Sequence, residues 1–372
     1  MLGYKESWFP VSLIKKLKKN VAGNDAPTSY KLEGTKMSTV YTGIDFHKRT
    51  STICFLKQDG QKETKTILSD NLVKELVNKS NLLVGIEASC GVNAVVDQLK
   101  AHNIEVKIIN PNKFRGIGVG GKKTDLKDAE ALAECLKVNF IPTVHHKSIG
   151  ARRIKSMLRL REQYVQSRVR ITNHVRGILR EYGIKINKGV EAFWEEIFVQ
   201  LELLDFDPLK DHLKDMVYEA KKLKKKEEAV EKTLRELMQG EQMVKNLQTI
   251  PGVGILTALA FVAVADDITR FNNAKAFASY IGLVPREFSS GDKRRLGTIT
   301  KSGQEILRRY FIHGARTVLK YSNEHSKEPI RKWAYHLKKR VGANKATVAL
   351  AHRLARISFR VAIEQRNYVA KL

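Results

Sequence analysis

The chain has 372 residues, 67 Lys and Arg against 39 Asp and Glu, and a formal net charge of +28. A hydrophobic content of 42% supplies real cores and excludes a wholly disordered basic tail protein, while the longest nearly apolar run, 255–265, falls short of the roughly 18–20 residues that cross a bilayer. Three cysteines (Cys54, Cys90, Cys135) without a CxxC pair, and ten histidines without HExxH or finger spacing, indicate neither a disulfide framework nor a thiolate zinc site; they predict a reducing, cytoplasmic setting with no membrane partner.

Residues 1–36 read as a basic extension. Lys15, Lys16, Lys18 and Lys19 are followed by Gly, Asn, Pro and Ser with little periodicity, and the secretory-signal pattern is missing. The segment is predicted to be disordered, or a non-native leader ahead of a natural start at Met37; a functional basic arm is the other reading. The intact mass of the native product decides between them.

Residues 37–145 are predicted to form an α/β domain. Runs rich in β-formers at 39–45, 51–56 and 62–68 make a three-strand meander. A helix at 71–79, a buried strand at 82–86, a helix at 92–102, a strand at 105–109 and a closing helix at 125–138 follow. The order βββαβαβα is that of the RNase H-like (RuvC-like) fold. Asp45 lies near the end of the first strand and Glu87 ends the fourth, while Asp125 and Asp128, spaced i, i+3, share a helix face. Four carboxylates converging from two neighbouring strands and a helix form a hard, oxygen-only site suited to Mg²⁺ or Mn²⁺. Two such ions about 3.5–4 Å apart clamp the attacking and leaving oxygens of a phosphodiester. Each acid also has a plainer use. Asp125 could cap the helix with Asp128 balancing its macrodipole, and Asp45 could be a turn residue at a strand end; Glu87, closing an apolar strand, is less easily dismissed.

Gly116, Gly118 and Gly121 satisfy GxGxxG. Nucleotide binding is nevertheless rejected, because Lys123 stands where a P-loop carries Ser or Thr, and Asn110-Pro111-Asn112 breaks the strand-to-loop junction. Lys122 and Lys123, with Lys113 and Arg115, are read instead as a basic loop leading phosphate to the acids.

Residues 146–240 are predicted as a helical hairpin. Ile154, Leu158, Val165, Val169, Val175 and Leu179 fall at helical spacing, and eight arginines lie from Arg152 to Arg180; Arg152 and Arg153 are candidate backbone contacts. Leu209, Met216, Leu223, Val230 and Leu237 recur every seven residues, Leu213, Ala220 and Leu234 fill the positions four further on, and Glu227 breaks that row. Such a seam means a coiled coil, closed either within the chain as an antiparallel pair or between subunits.

Residues 241–372 end in a strongly basic tail. Beyond residue 300 there are 17 Lys and Arg against 4 Asp and Glu, whereas 37–145 holds 15 against 12. That density favours a phosphate backbone through counterion release, with a solvated basic surface as the plain alternative. The stretch 247–254, ahead of an apolar helix, resembles a helix-hairpin-helix turn in which Gly252 and Gly254 let backbone N–H groups approach a phosphate. Then come Pro285-Arg286-Glu287-Phe288-Ser289-Ser290-Gly291-Asp292-Lys293-Arg294-Arg295 and Lys301-Ser302-Gly303. A serine beside glycine in a basic loop can reach a scissile phosphate while Arg286, Lys293, Arg294, Arg295 and Lys301 stabilise developing charge. By itself, Ser-Ser-Gly is more often only a loop.

Taken in order, Gly43-Ile44-Asp45, Gly85-Ile86-Glu87-Ala88, Lys123-Thr124-Asp125-Leu126-Lys127-Asp128-Ala129, Ile250-Pro251-Gly252-Val253-Gly254, Gly282-Leu283-Val284-Pro285-Arg286, Ser289-Ser290-Gly291 and Thr300-Lys301-Ser302-Gly303 resemble the DEDD transposases of bacterial insertion sequences. These are bridge-RNA-guided serine recombinases related to the Piv-type DNA invertase. The resemblance implies a RuvC-like catalytic domain, a coiled coil and a mainly α C-terminal transposase domain. It implies that Asp45, Glu87, Asp125 and Asp128 hold Mg²⁺ and that Ser290, with Ser289 as the fallback, attacks phosphorus to give a phosphoserine link. Further implications are donor and target DNA as substrates and a guide (bridge) RNA from the same element. A homodimer or tetramer sharing a composite site and a bacterial, nucleoid-associated location complete the set. The alternative is a RuvC-like, metal-dependent junction endonuclease using water; a third reading is a non-catalytic DNA-binding regulator.

Overall fold

A computed structural model describes residues 38–114, 124–187, 189–290, 293 and 295–370; the 1–36 extension, Lys122, Lys123 and Arg294 lie outside the described residues. The chain divides into two compact units, one ending at His146 and the other spanning Lys147–Leu372.

In the first unit the three β-rich runs pair as a meander, β1 (Val40–Phe46), β2 (Thr50–Leu56) and β3 (Lys62–Leu68). After α1 (Leu72–Val77) the chain enters β4 (Leu82–Glu87), which lies parallel to β1. Helix α2 (Val92–Ala101) then returns it to β5 (Glu105–Ile109), parallel to β4. Helix α3 (Asp125–Lys137) precedes β6 (Thr143–Val144), an antiparallel edge of two residues, too short to be read from sequence. The sheet order is β3-β2-β1-β4-β5-β6. Strand alternation divides its residues between two faces. Ile44, Ile53, Phe55, Val84 and Ile86 pack with Leu72 and Leu76 of α1 and Val96 and Leu99 of α2. On the other face Cys54 and Leu56 pack with Ala129 and Ala133 of α3. Burying each large apolar side chain contributes about 1.5–3 kcal/mol.

The second unit opens with α4 (Ile149–Glu181), capped by Ser148, whose hydroxyl accepts from Ala151 N–H at 3.1 Å. It runs antiparallel to α6 (Asp207–Leu237), with α5 (Val190–Leu201) between them in sequence. At one end of the pair Val175 and Leu179 pack with Leu213, Val217 and Phe193. Further along, Glu227 is a member of the seam rather than a break in it. Its carboxylate accepts from Arg161 at 3.0 Å and pairs with Arg168 at 3.1 Å, and Arg161 also reaches Glu231 at 2.6 Å. One row of the heptad seam is therefore closed within the chain.

The rest of the unit is α7 (Gln242–Gln248), α8 (Ile255–Ala265), α9 (Ala274–Tyr280), the hairpin β7 (Pro285–Glu287) and β8 (Leu296–Ile299), α10 (Glu305–Lys320), α11 (Pro329–Val341) and α12 (Ala343–Glu364). Helix α8 is buried from Thr257 to Ala265, which is why it shows no polar face. Lys147 Nζ donates to the carbonyls of Ala263 and Val264 at its C-terminal end, among the last four carbonyls that a helix leaves without intrahelical partners. Among the described residues no helix is long and apolar enough to cross a membrane.

Candidate active site

The repeated Gly-Ile-acid triplets set Asp45 and Glu87 at matching positions on two neighbouring parallel strands. A Cβ on Gly43 would stand 2.0 Å from the Ala129 carbonyl oxygen, and one on Gly85 would meet Leu136 at 2.7 Å. Gly43 must be glycine for α3 to lie against the sheet, because the clash is with backbone, whereas at Gly85 the Leu136 side chain would have to shift. Two residues on, alternation puts Asp45 and Glu87 on that same α3 face, past the point of closest approach. Helix α3 meets them with its first turn. Thr124 caps it, accepting from Lys127 N–H at 3.3 Å, so Asp125 is not the cap and its carboxylate is left for other work.

The structure brings Asp45, His47 and Asp125 together, with one potential ligand atom from each lying within 4.8 Å of the others. His47 Nε2 is 3.3 Å from Asp45 Oδ2 and 3.9 Å from Asp125 Oδ2. Burial pushes the Asp45 carboxyl above its usual range, and the charges of Asp125 and Asp128 add to the rise against the pull of His47. Asp128 is thus close enough to be felt electrostatically. Glu87 stands on the adjacent strand, one step beyond the Ile44–Ile86 pair, and neither it nor Asp128 belongs to the 4.8 Å group. Crowded carboxylates, one of them partly buried, fit a cation, and their oxygens suit a hard divalent ion. Sequence reasoning missed His47. The signal was its i+2 spacing from Asp45, obscured because β1 ends at Phe46 and the backbone turns there.

The serine lies on the β7–β8 hairpin. Ser289 Oγ donates to Glu287 Oε1 at 2.8 Å and accepts from Arg295 N–H at 3.1 Å, so its hydroxyl is occupied in holding the turn. Ser290 is bridged through its backbone to Lys293; it is exposed, and its hydroxyl has no hydrogen-bond partner among the described residues. At the base of the hairpin the buried Arg308 donates from Nη1 to the carbonyls of Ile281 and Ser302, each at 3.0 Å. That clamp gives Lys301-Ser302-Gly303 a structural use. Arg286 and Lys301 are exposed at the hairpin, with Arg286 donating to the Thr300 carbonyl at 3.4 Å.

Other predicted contacts are placed less directly for a ligand. Gly252 forms its turn between α7 and α8 with φ +86°, but a Cβ there would meet Gly314 of α10 at 2.8 Å, so the close approach it permits is to a helix of the same unit. Gly254 is exposed at the N-terminus of α8. Arg153 is exposed on α4, and Arg152 is half-buried.

Comparison with known proteins places these features in order. A family model described as "Transposase IS116/IS110/IS902 family" matches residues 244–331, and a model of DEDD transposases of IS110 type matches residues 42–184. The chain is 31% identical over 333 residues to the transposase for insertion sequence element IS1111A of Coxiella burnetii, covering 88% of this chain and 90% of that one. It is 27% identical over 319 residues to the transposase for IS1328 of Yersinia enterocolitica, covering 85% and 95%. A pilin gene-inverting protein of Moraxella lacunata is 25% identical over 300 residues, covering 73% and 80%.

Proposed function

Because the chain belongs to the IS110/IS116 family of insertion-sequence transposases, enzymes that cut and rejoin DNA, we propose that it works through a phosphoserine intermediate assisted by a divalent-metal site. The reading is carried by the gathering of Asp45 and Asp125 at the ends of parallel strands, where α3 begins. A meander of three strands followed by two parallel ones, with acids on the first and fourth, supports an RNase H-like (RuvC-like) assignment for the first unit. We read 146–240 as a coiled-coil segment and 241–372 as the serine-bearing transposase segment.

Asp45 and Asp125, with Asp128 and Glu87 completing the set, would hold Mg²⁺ or Mn²⁺ through their carboxylate oxygens. When bound, the ion supplies Lewis-acid stabilisation of phosphate charge. Ser290 Oγ attacks phosphorus, forming an Oγ–P bond as the bond to one sugar oxygen breaks. The serine proton ends on the departing oxygen as a hydroxyl, and the bond energy stays in the phosphoserine for rejoining. Arg286, Lys293, Arg295 and Lys301 are cations on the same hairpin for the charge that develops. The Lys- and Arg-rich tail grips backbone, and sequence choice is left to pairing with a guide RNA, in a dimer or tetramer.

Trapping the covalent protein–DNA adduct tests the reading. Ser290→Ala should abolish the adduct while leaving DNA binding intact; a persisting adduct moves the nucleophile, first to Ser289. Asp125→Asn should abolish metal-dependent cleavage. Cleavage without any adduct in the wild type would return the chain to a water-using junction endonuclease.

A further inference from the structure

The second unit contains a groove of about 1580 Å³, lined by residues of β8 and α12 among others. Its lining carries Lys301, Arg316 of α10, and Lys345, Arg353, Arg356 and Arg360 of α12. Glu364 is the acid on that lining, and its carboxylate is already paired with Arg366 at 2.5 Å. A cleft with so one-sided a charge concentrates a polyanion.

Two further observations narrow the occupant. Half-buried Arg356 has no hydrogen-bond or carboxylate partner among the described residues, so its charge is left for an anion in the groove. The Arg353 guanidinium lies 4.4 Å from the centre of the Trp333 ring, a cation–π pair of the kind that accompanies base stacking. Between the cations the lining is apolar, with Ile312, Val348 and Ile357. A duplex keeps its base faces stacked inside and offers phosphates, sugars and base edges, so it has no base face to lay on an apolar lining. An unpaired strand uses both, phosphates on arginine and base faces on the apolar surface. Strand β8, which follows the Ser290 turn in the chain, contributes Leu296 to Ile299 to the lining of the groove.

We propose that this groove holds the unpaired DNA strand next to the scissile phosphate. The proposal rests on the reading of Ser290 as acting on DNA, and its test is made independent of that chemistry. Full-length protein carrying Ser290→Ala is titrated by fluorescence anisotropy with labelled oligothymidylate, the matching oligouridylate and a mixed-sequence DNA duplex. Adding Arg356→Ala should weaken oligothymidylate binding about tenfold, the scale of one lost charge-assisted contact, and duplex binding by much less. Arg360→Glu, at an exposed position, should do the same without disturbing the core, and carries the test if Arg356→Ala fails to fold. Equal losses for duplex and single strand, no loss at all, or a loss confined to oligouridylate would each overturn the proposal. An adduct surviving Ser290→Ala sinks the nucleophile while leaving these titrations valid; unchanged titrations sink the groove while leaving the adduct result standing.

Discussion

The carboxylate cluster and the serine are presented by opposite kinds of structure. Asp45 lies on a central strand, two residues from a glycine pressed against the backbone of α3, so the core of its unit fixes its position. Ser290 lies on a hairpin whose described residues from 285 to 298 are all exposed, steadied by the Ser289 hydroxyl and by Arg308 at its base. A metal cradle needs several groups held within about 0.5 Å of their working geometry, and close packing supplies that. On the proposed reading of Ser290 as nucleophile, an exposed arm on a firm footing suits a group that must reach into a nucleic acid.

Removing the tight packing should have the largest consequence. Gly43→Val drives a side chain into the Ala129 carbonyl, an atom that cannot swing aside, so the cost should exceed the roughly 1–3 kcal/mol of ordinary overpacking. Urea unfolding of the first unit would show it. In the second unit the comparable weak point is charge. Glu227→Gln takes from Arg168 its carboxylate partner and leaves Arg161 with Glu231 alone inside the α4–α6 seam, and should cost about 3 kcal/mol, read as a lowered denaturation midpoint.

Next in size is a pH effect. Burial pushes the Lys147 amine down to about 7, with the Lys155 charge adding to the fall, from an ordinary value of 10.5. Unfolding therefore takes up a proton between those values, and stability should rise with pH across that window; below it the cost of a buried charge is felt in full. The neutral amine still has two N–H donors for the Ala263 and Val264 carbonyls. Lys147→Met should flatten the profile by up to about 1.4 kcal/mol per pH unit, measured from unfolding midpoints at about pH 6 and pH 9. The smallest effect belongs to the exposed hairpin. Ser289→Ala removes two hydrogen bonds worth about 1 kcal/mol together at such a site and should slow adduct formation several-fold without abolishing it. Complete loss with Ser290 intact would exchange the roles of the two serines.

Much of the first unit was legible beforehand. All five longer strands and the three principal helices appear within a residue or two of their predicted bounds, because alternation and helical spacing are local properties of the backbone. The acids on β1, β4 and α3 were legible for the same reason. The identity of the α3 cap was not, since Thr124 and Asp125 are both good capping residues and only backbone geometry at the first turn chose Thr124. The role of Glu227 was hidden because a charge at a seam position reads as a break until the arginines opposite it are known.

What the sequence determined by itself is periodicity and chemistry. It specified which residues share a strand face or a helix seam, the repeated glycine-plus-acid signature, and the uneven distribution of charge. What only the tertiary structure decided is company: His47 beside Asp45 and Asp125, Gly252 against Gly314, Ser289 spent on its own turn, and arginines of α12 lining one groove with β8. Dihedral preferences act over a few neighbouring residues, whereas these meetings depend on how helices and strands far apart in the chain fill a common interior.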